Sequence, residues 1–258
     1  MKWSILLACL STVTSLSAQT KDTVLSNVYH WNELKPVKKE TSVTRQILEG
    51  KTVALNYFES HATTLEPGKA PHPPHTHKDQ DELVIVKEGQ VKITINGVSK
   101  TVGPGSIALI MSGDAHGIEN TGKTQAAYYI FKYGGKLPMD TVRAKQAGGS
   151  LVLNFPDLKA SNTAKGYRRD YFNRATVQVP QIEMHTTALN VGEISHPPHT
   201  HVQEEAILVI RGNVEMQIGD NFYKGTAGDL YFITSNTPHN LKNTGKEQCE
   251  YFAFQWRN

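Results

Sequence analysis

The sequence predicts an all-β chain built from two tandem copies of one domain, and three observations carry that reading. The hexapeptide HPPHTH occurs twice, at 72–77 and 196–201, inside longer stretches that repeat at an offset of 123 to 124 residues. Each copy leads into an apolar run and then into alternating, β-branched segments folded about a turn pair, Asn96-Gly97 in the first and Gly219-Asp220 in the second. Alternation of that kind is strand patterning, and both turn pairs tolerate the positive φ of a two-residue hairpin. At 258 residues the chain has room for two ordinary domains, each able to bury a core, and the repeat decides for two.

Taken in order, residues 1–20 read as a secretory leader: one lysine, an apolar stretch from Trp3 to Leu10, then small residues ending at Ala18. Cleavage after Ala18 is the expected processing, with export to the periplasm or the medium. A lipoprotein box ending at Cys9 is the alternative. Without the leader, Cys249 is the only cysteine and no internal disulfide forms. The expected organisation is a signal peptide at 1–18, a first domain at 19–140 and a second at 141–258.

Each domain opens with a matched arm, NVYHWNEL at 27–34 and LVLNFPDL at 151–158, which pairs Trp31 with Phe155. Matched arginines, Arg45 and Arg169, follow, with an anionic substrate or a rim salt bridge as their partners. In the next strand Glu59, His61, Thr63 and Leu65 share one face by alternation, as their counterparts around Glu183, His185 and Leu189 do. If the repeated leucine faces the interior, His61 and His185 point inward too, with a substrate or supporting role or as hydrogen-bonded structural histidines; the alternate face carries Phe58, Ala62 and Met184. The joint KLPMDTVRAKQAGGS has Asp140 placed as a helix cap and Gly148-Gly149 as the stop of a two-turn helix.

The chemistry sits in the repeated histidines. His75 and His77 are two apart, Glu82 follows by five, and His116 lies in GDAHGIEN; the second copy repeats the set as His199, His201, Glu205 and His239. Three imidazoles and a carboxylate are a donor set for a divalent transition metal, two ions per chain, with Mn or Fe favoured and Ni, Co, Cu or Zn accommodated. Four residues separate His77 from Glu82 but only three separate His201 from Glu205, so those segments must be turns and strand register restarts at the glutamate. Asp81 and Glu204 then point away from the ligands.

These residues resemble the cupin pattern, His-x-His-x3,4-Glu-x6-Gly followed by Gly-x5-Pro-x-Gly-x2-His-x3-Asn, in both halves. The chain therefore looks like a bicupin, and the resemblance implies two double-stranded β-helix, or jelly-roll, barrels. Met111 and Thr234 stand where the family has proline, and Asn236 where it has its second glycine. In oxalate-degrading bicupins, which this chain resembles in its two His-His-Glu-His sets, the position three before the first ligand holds an arginine that fixes the substrate carboxylate. Here it holds His72 and His196. That argues against oxalate itself and makes both histidines candidates for contact with another substrate.

A formal charge of +3 gives no footprint for nucleic acid or an anionic membrane, and no transmembrane segment is expected. The expected partner is a small molecule; a homo-oligomer is compatible. Two functional classes follow: an exported metal-dependent enzyme, of dioxygenase or decarboxylase or of isomerase or lyase type, acting on a small organic or sugar acid, or a noncatalytic protein that binds a metabolite or the metal itself.

Overall fold

The computed structural model describes residues 23–258, so the signal peptide expected at 1–18 lies outside the described residues. The architecture is all-β. One seven-stranded sheet runs Leu151–Leu153, Ile107–Ile110, Asp81–Glu88, Ala126–Gly135, Leu55–Leu65, Ser42–Gly50, Val37–Lys38. Its counterpart runs Asn27–Tyr29, Leu230–Ile233, Glu204–Arg211, Cys249–Arg257, Gln181–Leu189, Gly166–Arg174, Ser161–Thr163. Each large sheet faces a three-stranded one, built around Val91–Ile95 in the first half and Asn213–Ile218 in the second.

The expectation of two closed barrels is corrected by this topology. Among the described residues no sheet closes on itself; each half is a pair of facing open sheets. The physical reason lies at the corners, where the chain passes from the large to the small sheet through Gly89 or Gly212, both at positive φ, and the hydrogen-bond ladder stops. Single bridges, His75 with His116 and His199 with His239, tie the segments carrying the first histidines to the small sheets.

The run Asp81–Glu88 is apolar without alternation because it is covered on both faces. Val84 and Val86 belong to the core inside the first half, while Leu83 and Ile85 join a second core that also takes Leu208, Phe232, Phe254 and Trp256 from the other half. The two large sheets thus pack on each other, with Phe58 against Trp256 at 4.9 Å and Phe131 against Phe254 at 4.8 Å between ring centroids.

The matched arms are exchanged. Asn27–Tyr29 pairs with Leu230–Phe232 of the second half, and Leu151–Leu153 pairs with Ile107–Leu109 of the first. Arg45 stacks over Trp31 at 4.9 Å and Arg169 over Phe155 at 4.6 Å, so the matched arginines pin the arms.

Asp81 and Glu204, pointing away from the clusters as the register argument requires, reach across the boundary between halves. Asp81 accepts from Ser112 and from the backbone N–H of Gln178, and burial raises its pKa. Glu204 accepts from the Thr52 hydroxyl, the N–H groups of Val53 and Ala54, and the Trp256 indole. The helix Thr141–Gln146 is capped by Asp140, whose carboxylate takes the Arg143 N–H at 2.8 Å, and Gly148 and Gly149 end it at positive φ.

Candidate metal centres

Backbone pairing brings the first two distant members of each cluster together. His75 and His116 exchange both backbone hydrogen bonds, at 2.9 and 2.8 Å, and His199 and His239 do the same at 3.3 and 3.1 Å. His77 is tied down by its carbonyl, which accepts from Gly113; the His201 carbonyl accepts from Asn236. Both donors sit at positive φ, 94° and 58°, so asparagine takes the left-handed position that glycine takes in the other half.

In the first cluster the ligand atoms of His75, His77, Glu82 and His116 all lie within 4.8 Å of one another. The Nε2 atoms of His75 and His77 are 3.0 Å apart, and His77 Nε2 is 3.1 Å from a Glu82 oxygen. His116 gives its Nδ1 to the Asp114 carbonyl at 3.0 Å, which leaves Nε2 as the free lone pair, buried and without a hydrogen bond. A buried imidazole lone pair beside two more and a carboxylate is the fit a divalent ion requires. Burial raises the Glu82 pKa, but the contacts from His77, His116 and Lys132 outweigh it and hold it below the ordinary value.

The second cluster is looser. His199, His201 and His239 offer atoms within 4.8 Å of one another, and Glu205 stands beside two of them, 3.5 Å from His201 Nε2 and 3.0 Å from His239 Nε2. His201 and His239 are oriented through Nδ1 by the carbonyls of Gln203 and Thr237. The His239 Nε2 is again buried and makes no hydrogen bond. His199 is exposed, whereas its counterpart His75 is half-buried. Glu205 is held at a pKa of about 2 because the contacts from His201 and His239 exceed the opposing cost of its burial.

Each cluster opens into a cavity, about 170 Å³ in the first half and about 270 Å³ in the second. His72 and His61 line the first, His196 and His185 the second. His72 meets His75 edge to face at 4.3 Å and His196 meets His199 at 4.0 Å; each gives Nδ1 to the next carbonyl. His72 is exposed, while His196 is half-buried and its pKa is lowered, chiefly by that burial.

Part of the lining is not marked by the repeated motifs. Lys132 lies in the first cavity, and Arg168, one residue before the matched arginine, in the second. Tyr128 and Tyr251 sit at matched positions under the two carboxylates, and their hydroxyls are kept neutral by burial. The signal for the tyrosines was present in the repeated aromatic strands AYYIFKY and EYFAFQW.

Comparison with known proteins places the fold. The model of the cupin domain family matches residues 61–132 and 185–254. None of the curated proteins matches the chain. Among solved structures, AerE from Microcystis aeruginosa is 15% identical with a TM-score of 0.68, covering 90% of this chain and 99% of its own. The oxalate decarboxylase of Lactobacillus farciminis, solved as a formate complex, is 13% identical with a TM-score of 0.69, covering 92% and 88%. A single-residue variant of the Bacillus subtilis oxalate decarboxylase is 14% identical with a TM-score of 0.68, covering 93% of this chain and 79% of its own. At such identities the likeness speaks for the fold alone.

Proposed function

The chain belongs to the cupin family, with two cupin domains, and from that premise we propose that it is an exported, metal-dependent enzyme acting on a small organic acid. The observation that carries the proposal is the first cavity, where three imidazoles and one carboxylate converge beside the ammonium of Lys132. In this reading His75, His77, Glu82 and His116 hold one divalent ion, and His199, His201, Glu205 and His239 hold a second. A bound ion of this kind supplies Lewis-acid polarisation or oxygen activation.

The protein's own groups do the rest. Lys132 attracts the substrate carboxylate, and the neutral Tyr128 hydroxyl adds a donor on the cavity floor. His72, at the mouth, contacts the part of the substrate that remains outside. A cavity of about 170 Å³ selects for a small molecule. The oxalate decarboxylases of Lactobacillus farciminis and Bacillus subtilis share the fold, which supports a carboxylate as the class, while histidine at positions 72 and 196 disfavours oxalate itself. Decarboxylase, dioxygenase, isomerase and lyase chemistry are all compatible. The leader-like residues 1–18 support export.

For the second cavity a noncatalytic role, holding a metabolite or the metal, has its own support in the exposed His199 and the looser set of donors. The test is elemental analysis after loading with Mn or Fe(II), then a screen of hydroxy acids, keto acids, uronates and catechols by product mass and oxygen uptake. Two equivalents of metal, one of them lost in His77→Ala together with turnover, is the expected result. A wild type that takes up no metal refutes the metal reading. Metal-dependent binding of a compound with no turnover across the screen transfers the noncatalytic role to the whole chain.

A further inference from the structure

We infer that His61 is the proton-transfer group of the first cavity, that Glu59 positions it, and that the substrate class is a small 2-keto acid. The inference rests on the metal-dependent reading above. Glu59 and His61 alternate onto one face of the strand Leu55–Leu65, and His61 lines the cavity. The buried Glu59 accepts from His61 Nδ1 at 2.7 Å and from the Gln46 side chain at 3.1 Å on the same oxygen. A carboxylate on Nδ1 fixes the proton there, so Nε2 carries the lone pair, and Nε2 makes no hydrogen bond. An imidazole held in this way is an oriented base.

The neighbouring rung of the sheet supplies the anchor. Lys132 stands directly opposite Glu59 on one side and opposite Glu82 on the other, with its Nζ 3.9 Å from Glu59 Oε2. That second Glu59 oxygen is buried and has no hydrogen bond. A substrate carboxylate drawn to Lys132 in so small a cavity has its adjacent carbons beside His61. Imidazole is a base of moderate strength, so the proton that it removes must be acidified, and a carbonyl next to the carboxylate does this. His61 Nε2 takes a proton from carbon 3, the C–H electron pair becomes the C2–C3 double bond, and the carbonyl oxygen takes the negative charge. Return of the proton from His61 to carbon 3 or to that oxygen closes the step, with no oxidant, reductant or further reactant consumed.

The second cavity lacks this arrangement. Gln255 replaces the lysine in the rung between Glu183 and Glu205. His185 Nδ1 lies 3.6 Å from Glu183 and makes no hydrogen bond, and Arg168 lies 3.7 Å from the same Glu183 oxygen.

The experiment follows exchange of the carbon-3 protons of pyruvate and 2-ketobutyrate in D2O by NMR, with metal-loaded protein. Wild type should exchange at least one of them, and His61→Asn and His61→Gln should each lose about a hundredfold or more while keeping the wild-type metal content, the usual scale for a lost acid-base group. Ring nitrogen shifts of His61 in the metal-free protein give a readout independent of turnover: Nδ1-protonated in wild type, mixed in Glu59→Gln, restored in part in Glu59→Asp. Exchange that survives in both His61 variants overturns the inference and leaves the metal-dependent reading standing. So does an Nε2-protonated ring in wild type. If other acids turn over but neither keto acid exchanges, the substrate class is overturned; if no acid of any kind turns over, the enzyme reading fails and this inference falls with it.

Discussion

Replacing Glu204 by alanine should weaken the whole molecule, because its carboxylate is fully buried and holds donors from both halves. It accepts from the Thr52 hydroxyl, from Val53 N at 2.8 Å, from Ala54 N at 3.2 Å and from the Trp256 indole at 3.2 Å. A hydrogen bond to an ionised acceptor contributes about 1.5–3 kcal/mol. Four of them would exceed what any single substitution costs, since the loop relaxes and water enters, so the loss expected for Glu204→Ala is about 3–5 kcal/mol. For a chain of this size, a loss of that order lowers Tm by roughly 10 °C. Glu204→Gln keeps the shape but presents a donor to donors, and should fall between alanine and wild type. Urea unfolding followed by tryptophan fluorescence reads all three. A loss below about 1 kcal/mol in Glu204→Ala would mean that water replaces the carboxylate freely, and the account of the boundary between halves would be wrong.

Metal should leave the two centres in sequence as pH falls, the second before the first. Burial and then the neighbouring histidines lower the pKa of the first histidine in each centre, His75 to about 4 and His199 below its ordinary value, so those rings are neutral and ready for metal down to mildly acid pH, and the centres differ at His201. The Glu205 carboxylate raises the His201 pKa above its ordinary value, so a proton competes for that ligand as soon as pH drops through the raised value. Dialysis at stepped pH with elemental analysis should show two equivalents, then one, then none; release of both in a single step contradicts the assignment. Gly105→Ala should destabilise by about 1–3 kcal/mol, because a Cβ there meets the Phe155 ring at 2.8 Å on a backbone at φ of +81°, and an unchanged urea midpoint would sink this.

Much of this was legible because a repeat reports itself. Strand parity alone separates Glu82 from Asp81 and Glu205 from Glu204, and the structure puts the two members of each pair on opposite faces of the sheet. The convergence of His75 with His116 needed a backbone bridge that no local pattern announces. Whether the facing sheets close was beyond local sequence too, since alternation is the same in an open sheet and a barrel. The partner of each arm is equally hidden: the short apolar segments NVY and LVL carry no local mark of which half's edge they join, and each joins the sheet of the other half. Lys132 carries no repeat signal because its counterpart is Gln255, and a duplication marks only the positions where the copies agree.

The exchanged arms make the covalent joint nearly redundant as a fastener. A single cut between Gly148 and Gly149 would leave the leading fragment still supplying Asn27–Tyr29 to the trailing fragment's sheet, and the trailing fragment still supplying Leu151–Leu153 in return. The pieces would be interlocked like two links, each threaded by the other's edge. Nicked protein should therefore migrate as two bands under denaturing conditions and as one particle in native buffer.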